Sequence, residues 1–200
     1  LTEGRQQVVE VDHGVAATTR QAGAAQDQGR AHGVLVEVLL AQQAVAADRE
    51  AVVGGEDDDG VMTAVPVYPP FLTAPANSRR HLVKVPLQGE DYGWTFDFDR
   101  LEKAITADTR LFLLCNPHNP VGRIFSRDEL TALAMICEKH DIIICSDEIH
   151  CGLLLDEDKA HLPTSTLDPE VAKRTITLMS PSKTFNLPGL GSTFTVISDE

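Results

Sequence analysis

Three short apolar runs, each followed at once by a polar motif, constrain most strongly what this chain can fold into. The runs cover residues 110–115, 141–146 and 175–179, and helical patterns lie between them. Continuous apolar runs of this length are typical of strands buried on both faces of a parallel sheet. Strands that alternate with helices predict right-handed β-α-β units. We therefore expect an α/β fold, with a mainly parallel sheet covered by helices on both faces.

Further patterns extend this assignment along the chain. Additional strands are predicted at residues 61–65, 81–86 and 193–198, and additional helices at 98–105 and 169–173. Ser126 and Glu129 have the spacing of a capping box, and an apolar stripe at helical spacing follows them. A capping box predicts the start of a helix, because each residue satisfies a backbone N–H of the other.

Polar side chains follow each of the three apolar runs. They are Asn119 after the first run, Asp147 and His150 after the second, and Ser180, Ser182 and Lys183 after the third. Ligands of parallel sheets bind beyond the carboxyl ends of the strands. The motifs therefore predict one site that combines an amide, a carboxylate and a lysine.

This combination suits pyridoxal phosphate (PLP). A lysine amine can hold the aldehyde, and serine hydroxyls can donate hydrogen bonds to the phosphate. A carboxylate must keep the pyridine nitrogen protonated, a donor should face the phenolate oxygen, and an aromatic ring can cover the pyridine. The lysine could be Lys183 and the carboxylate Asp147. The donor could be Asn119 and the aromatic ring Tyr68.

Each residue also has a simpler interpretation when it is taken alone. An isolated Lys183 would be a solvated loop lysine, and an isolated Tyr68 a core or turn aromatic. His118, between two prolines, is predicted to be structural. Asp147, Glu148, His150 and Cys151 mix hard and soft ligands without a second cluster, so no metal site is expected.

Four motifs carry a resemblance to a known family. They are Pro-Val-Tyr-Pro-Pro-Phe (66–71), Asn-Pro-His-Asn-Pro-Val-Gly (116–122), Ser-Asp-Glu-Ile-His (146–150) and Ser-Lys-Thr-Phe-Asn-Leu-Pro-Gly-Leu (182–190). With these, residues 61–200 resemble the large domain of fold-type I PLP-dependent enzymes of aminotransferase class I/II. Within that class they look most like cystathionine β-lyases (C–S lyases) of the MalY/PatB type.

The resemblance implies a role for each candidate residue. Lys183 would hold the cofactor and act as the base at Cα. Asp147 would pair with the pyridinium nitrogen, and Asn119 would bind the ring hydroxyl. Tyr68 would stack on the ring, and Ser180 and Ser182 would contact the phosphate. His150 stands where many aminotransferases carry a tyrosine that contacts the ring oxygen, a difference that fits the lyase subgroup.

The activity implied is a PLP-dependent C–S β-lyase that releases thiol, pyruvate and ammonia from cystathionine or cysteine S-conjugates. The alternatives are a class I/II aminotransferase, a non-catalytic PLP-binding regulator and an inactive partial domain. The resemblance also implies a homodimer acting on small amino acids. It places a glycine-rich, phosphate-binding turn upstream of Tyr68, and no copy of the family's carboxyl-terminal small domain is recognisable within these 200 residues.

Residues 1–60 differ in composition from the rest of the chain. They use only ten residue types, with no aromatic residue or proline, and four arginines against eleven acidic residues give a net charge of −7. Such a composition cannot easily fill a core, so we expect disorder or loose helix, with an apolar helix possible at residues 34–47. A reading-frame error upstream of Val61 would also explain it.

The overall composition excludes several classes of partner. A net charge of −13 argues against nucleic acid and anionic membranes. The sequence contains no apolar run of membrane-spanning length, and no basic residues precede an apolar core at its start, so neither a span nor a signal peptide is expected. The four cysteines lack Cys-x-x-Cys spacing, which predicts reduced thiols and a cytoplasmic protein.

Overall fold

The computed structural model describes residues 6–10, 59–89, 93–187 and 193–198. Its strands are β1 (Gln6–Glu10), β2 (Gly60–Val65), β3 (His81–Pro86), β4 (Thr109–Cys115), β5 (Ile143–Asp147), β6 (Thr175–Met179) and β7 (Phe194–Ser198). Its α-helices are α1 (Pro70–Asn77), α2 (Phe98–Ala104), α3 (Arg127–Lys139), α4 (Pro169–Lys173) and α5 (Pro181–Thr184), and a 3-10 turn covers Thr164–Thr166. The predicted strands and helices are therefore present, with small shifts at their ends.

The described strands form one sheet in the order β1-β7-β6-β5-β4-β2-β3. Strands β3, β2, β4, β5 and β6 run parallel to one another, which confirms the predicted mainly parallel sheet. β7 is antiparallel to β6, and β1 is antiparallel to β7. The carboxyl ends of β2, β4, β5 and β6 consequently lie along one edge of the sheet.

Apolar side chains cover both faces of this sheet. Along β4, Leu111 and Leu113 belong to one core cluster, whereas Phe112 and Leu114 belong to the other. Helix α1 packs into the first cluster, and α2, α3 and α4 contribute to the second. Alternate strand residues point to opposite faces, so a continuous apolar run is needed where both faces are covered. The three-layer arrangement is thus confirmed.

Helix α3 begins and ends as local sequence chemistry requires. Ser126 Oγ accepts from the N–H of Glu129 at 3.2 Å, and Glu129 Oε2 accepts from the N–H of Ser126 at 2.8 Å, which confirms the capping box. The helix ends at Lys139. Two residues later the φ of Asp141 is 53°, and the Ile142 N–H donates to the Cys137 carbonyl at 2.8 Å. Aspartate tolerates this left-handed conformation better than most residues. The prediction that Asp141 begins a strand was therefore wrong, since β5 begins at Ile143.

One part of the amino-terminal segment is ordered as a strand. Disorder or loose helix was predicted there, but Gln6–Glu10 forms β1 and pairs with β7 from Gln6↔Ser198 to Glu10↔Phe194. The open edge of β7 supplies the backbone groups that satisfy such a strand. The predicted helix at 34–47 and the glycine-rich turn lie outside the described residues. Among the described helices, none has the length and apolar character needed to cross a bilayer.

Candidate active site

The polar motifs meet because β4, β5 and β6 are parallel neighbours in register. Cys115 pairs with Asp147 across β4 and β5, and Asp147 pairs with Leu178 across β5 and β6. Just beyond the strands, the Asn116 N–H donates to the Asp147 carbonyl at 3.0 Å, and the Glu148 N–H donates to the Leu178 carbonyl at 2.9 Å. The sheet therefore brings the segments that follow all three strands to a single edge, as the sequence predicted.

Asp147 is a buried acid at the centre of this edge. Its side chain is 4% exposed, and its Oδ1 accepts from the Ile149 N–H at 3.0 Å. The pKa of Asp147 is raised to about 6, mainly by burial and to a smaller extent by the charge of Glu148, while the Ile149 N–H and the charge of Lys183 oppose the shift. Among the described residues, Ile149 alone donates to this carboxylate. A buried carboxylate with one donor favours a cationic partner.

Lys183 lies in the short helix α5, directly after β6. Ser180 caps this helix, because its Oγ accepts from the Ser182 N–H at 3.1 Å. The Lys183 side chain is exposed and forms no ion pair with a described carboxylate. Its charge nevertheless lowers the pKa of both Asp147 and His150, so the three side chains share one electrostatic environment.

His150 supplies an unsatisfied polar atom to the same region. Its Nδ1 is buried and has no hydrogen-bond partner among the described residues. Burial lowers the pKa of His150, and the charge of Lys183 lowers it further, so the ring is neutral near pH 7. His150 and Asn119 both line a cleft of about 920 Å³ that also includes Leu153 and Lys159. The cleft has room for a ligand of cofactor size, but neither Asp147 nor Lys183 is among its lining residues.

A buried histidine, His118, connects the segment that carries Asn119 to the segment that carries Tyr68. The ring of His118 lies with Nδ1 3.0 Å from the Cys115 carbonyl oxygen and Nε2 2.8 Å from the Pro66 carbonyl oxygen. His118 therefore links the segment after β4 to the segment after β2, one residue from Asn119 and two from Tyr68. Burial lowers the pKa of His118, so a neutral ring donates to one of the two carbonyls. The predicted structural role of His118 agrees with these contacts.

Ser180 and Ser182 are paired with each other. Ser180 is buried, and its hydroxyl donates to Ser182 Oγ at 2.9 Å in addition to capping α5. Tyr68 is half-buried and packs against the core cluster on the α1 side of the sheet. The phosphate and ring-stacking roles of these three residues stay predictions, as does the cofactor contact of Asn119.

Two features of the site were missed by sequence reasoning. Glu148 is fully buried and accepts hydrogen bonds from Ser146 Oγ at 2.9 Å and the Thr164 N–H at 2.9 Å, and pairs with His161 Nε2 at 2.7 Å. Gly152 lies against Thr184, the residue after Lys183. A glutamate directly after the buried β5 run was the available signal for the first feature, because such a charge needs a partner. No sequence signal identifies the second.

The arrangement fits the PLP predicted from the sequence. A buried carboxylate with one described donor matches the need of a pyridinium nitrogen, and the orphaned Nδ1 of His150 offers a polar contact nearby. Lys183 is exposed, and its charge lowers the pKa of both Asp147 and His150. These groups can hold a planar cationic ring and place an amine beside it, an arrangement suited to proton transfer.

Several known proteins and a family model are similar to this chain. The model of the family "Aminotransferase class I and II" matches residues 36–200, a match that starts upstream of the predicted boundary at residue 61. Cystathionine beta-lyase PatB of Bacillus subtilis is 37% identical over 168 residues, which are 84% of this chain and 41% of PatB. A protein named as a probable kynurenine–oxoglutarate transaminase of Saccharomyces cerevisiae is 38% identical over 130 residues, 65% of this chain and 26% of that protein.

A solved structure agrees with these relatives. The PLP-bound C-S lyase from Staphylococcus hominis superimposes with a TM-score of 0.72 at 26% identity, covering 93% of this chain and 50% of that one. The chain thus spans half or less of the length of these relatives. The family match covers most of the sequence, and the parallel sheet and its polar edge agree with it. The chain belongs to the aminotransferase class I and II family.

Proposed function

We propose that this protein binds PLP and acts as a C–S β-lyase on cystathionine or cysteine S-conjugates. The observation that carries the proposal is the buried carboxylate of Asp147, whose pKa responds to the charge of Lys183 at the edge where three parallel strands end. Similarity to PatB and to a PLP-bound C-S lyase supports the choice of reaction. The chain spans 41% of PatB and 50% of the Staphylococcus hominis lyase.

Each candidate residue has a defined task in this proposal. Bound PLP supplies an electron sink for the charge that forms at the substrate Cα. The amine of Lys183 takes the proton from Cα, and the charge of Asp147 holds the proton on the ring nitrogen. Asn119 donates a hydrogen bond to the ring oxygen, and Tyr68 covers one face of the ring. Ser180 and Ser182 bind the phosphate, and His150 contacts the ring edge through its orphaned nitrogen.

A second candidate function is transamination. The similarity to the yeast protein named as a transaminase favours it, at 38% identity over 130 residues. Both reactions begin when Lys183 removes the Cα proton, and they diverge afterwards. In a lyase the thiolate would leave from Cβ, whereas an aminotransferase would need a 2-oxo acid to complete its cycle.

An assay without any 2-oxo acid separates the two reactions. Protein supplied with PLP and cystathionine should release a free thiol and pyruvate in equal amounts, turnover after turnover. The Lys183→Ala variant, which lacks the base, should reduce the rate by at least about 10²-fold. Amino transfer to an added 2-oxo acid, with no thiol released, would overturn the lyase proposal in favour of an aminotransferase. A protein that shows no lysine-linked PLP absorbance would favour an inactive partial domain.

A further inference from the structure

The turn after β5 touches the lysine-bearing helix α5 at one point. Two hydrogen bonds shape this turn, from the Cys151 N–H to the Glu148 carbonyl and from the Leu153 N–H to the His150 carbonyl, both at 2.9 Å. Gly152 lies between these donors. A Cβ atom built on Gly152 would lie 2.4 Å from Thr184 Cγ2, 2.6 Å from Thr184 Oγ1 and 3.1 Å from Thr184 Cβ. The two segments therefore approach more closely than any side chain at residue 152 would permit.

Rotation of the threonine side chain does not relieve this contact. Thr184 carries two heavy γ atoms, and its χ1 has three staggered positions. Two of these positions face Gly152, and in the structure Cγ2 occupies one and Oγ1 the other. Two γ atoms occupy two of the three positions in every staggered rotamer, so at least one γ atom always faces Gly152. A methyl group at residue 152 must therefore displace the backbone of the turn or of α5.

The backbone of Gly152 does not itself require glycine. The described glycines with positive φ are Gly89 and Gly122, so alanine at residue 152 meets no left-handed strain. The Thr184 hydroxyl also has no hydrogen-bond partner among the described residues. The consequence of adding a methyl group here is thus confined to the spacing between the two segments.

We propose that Gly152 is a positioning residue, which sets the distance between the Lys183 helix and the turn that follows Asp147 and carries His150. The inference rests on the proposed function, because it concerns the side chains that hold PLP there. Asp147 and Lys183 must reach opposite parts of one ring, the nitrogen and the aldehyde. If one segment is displaced by about 1 Å, the reaction rate falls on the order of 10²-fold, because the reacting groups are misplaced.

The test uses Gly152→Ala in the full chain, with two matched second substitutions. PLP is titrated into cofactor-free protein, and the long-wavelength absorbance of lysine-linked cofactor is followed. Gly152→Ala should weaken PLP affinity by about tenfold or more. Adding Thr184→Ser should restore the affinity to within about threefold of wild type, because serine can turn its one γ atom to the open position. Adding Thr184→Val, which keeps two γ atoms, should restore nothing.

Two controls separate positioning from simple destabilisation. The single variants Thr184→Ser and Thr184→Val should bind PLP like wild type, since the threonine hydroxyl has no described partner. The pH midpoint of the lysine-linked absorbance should move in Gly152→Ala and return in Gly152→Ala/Thr184→Ser. A purely structural role would change the amount of folded protein and leave that midpoint in place.

Other outcomes would overturn the inference in distinguishable ways. Wild-type affinity and an unmoved midpoint in Gly152→Ala would overturn the role of Gly152 while leaving the proposed function intact. Equal PLP affinity of Gly152→Ala/Thr184→Ser and Gly152→Ala/Thr184→Val would also overturn the role of Gly152. This comparison decides the question even when Gly152→Ala alone does not fold. Wild-type protein that shows no lysine-linked absorbance would overturn the proposed function, and this inference with it.

Discussion

The buried carboxylate of Asp147 lowers the stability of the cofactor-free chain near neutral pH. Burial raises the pKa of this carboxyl from 3.8 to about 6 in the cofactor-free chain. The folded state then binds a proton that the unfolded state has released between these two pH values. The free energy of unfolding therefore falls as pH rises through this window, and the full penalty is present above about pH 6. PLP binding would supply the cation that offsets it.

We predict that Asp147→Asn stabilises the cofactor-free protein while abolishing activity. At pH 7.5 the free energy of unfolding should rise by up to about 3 kcal/mol, which corresponds to roughly two pKa units. The lyase rate should fall by about 10²-fold or more, because no charge then holds the proton on the ring nitrogen. Urea unfolding at pH 7.5 and pH 4 measures the first effect, and the gain should vanish at pH 4. A loss of stability at pH 7.5 would contradict this account of Asp147.

At the scale of structural elements, the segment that follows β5 is held by a buried hydrogen-bonded contact between a glutamate and a histidine. Glu148, directly after β5, and His161, just before the 3-10 turn Thr164–Thr166, lie 2.7 Å apart with side chains 1% and 8% exposed. The Ser146 hydroxyl donates its one hydrogen bond to Glu148 Oε1. The Thr164 hydroxyl, whose oxygen lies 3.0 Å from Ser146 Oγ, must therefore donate to Ser146. This network fixes both ends of a segment that contains His150 and Gly152.

Removing the histidine of this contact should be costly. His161→Ala leaves the buried Oε2 of Glu148 without its hydrogen-bond partner, and the free energy of unfolding should fall by about 1–3 kcal/mol. Glu148→Gln keeps an oxygen that can accept from Ser146 and Thr164, so it should cost much less. The same His161→Ala change in the Glu148→Gln background should then cost less than in wild type, as a double-mutant cycle with urea unfolding would show.

The chain offers a matched control for this pair. Glu102 and His140 form a similar contact at 2.9 Å, but their side chains are 35% and 31% exposed. Water screens that contact, so His140→Ala should leave stability nearly unchanged. Comparable losses at His140 and His161 would show that burial does not set the strength of the Glu148 contact.

At the scale of the whole molecule, the sheet and its functional edge were predictable from the sequence. Parallel strands buried on both faces leave a strong pattern, and residues such as Lys183 and Asp147 follow directly after such runs. The contacts of Gly152 with Thr184 and of Glu148 with His161 were not predictable, because they join residues 32 and 13 positions apart whose side chains carry no local pattern. Strand β1 was missed because its pairing depends on the distant edge of β7.

The chain is shorter than the relatives that it matches. It spans 41% of PatB and 50% of the Staphylococcus hominis lyase. A homodimer and cytoplasmic location stay predictions, as do the boundary at residue 61 and the origin of the segment before it. The polar edge, by contrast, is built entirely from described residues of this chain, so its chemistry can be tested directly.

The account depends most on Lys183 as the residue that holds PLP. Protein loaded with PLP is reduced with borohydride, which makes the lysine–cofactor bond permanent, and is then digested and examined by mass spectrometry. We predict one modified peptide, with the reduced cofactor on Lys183, and no modification of this peptide in Lys183→Ala. Cofactor attached to a different lysine, or to none, would contradict the proposed site.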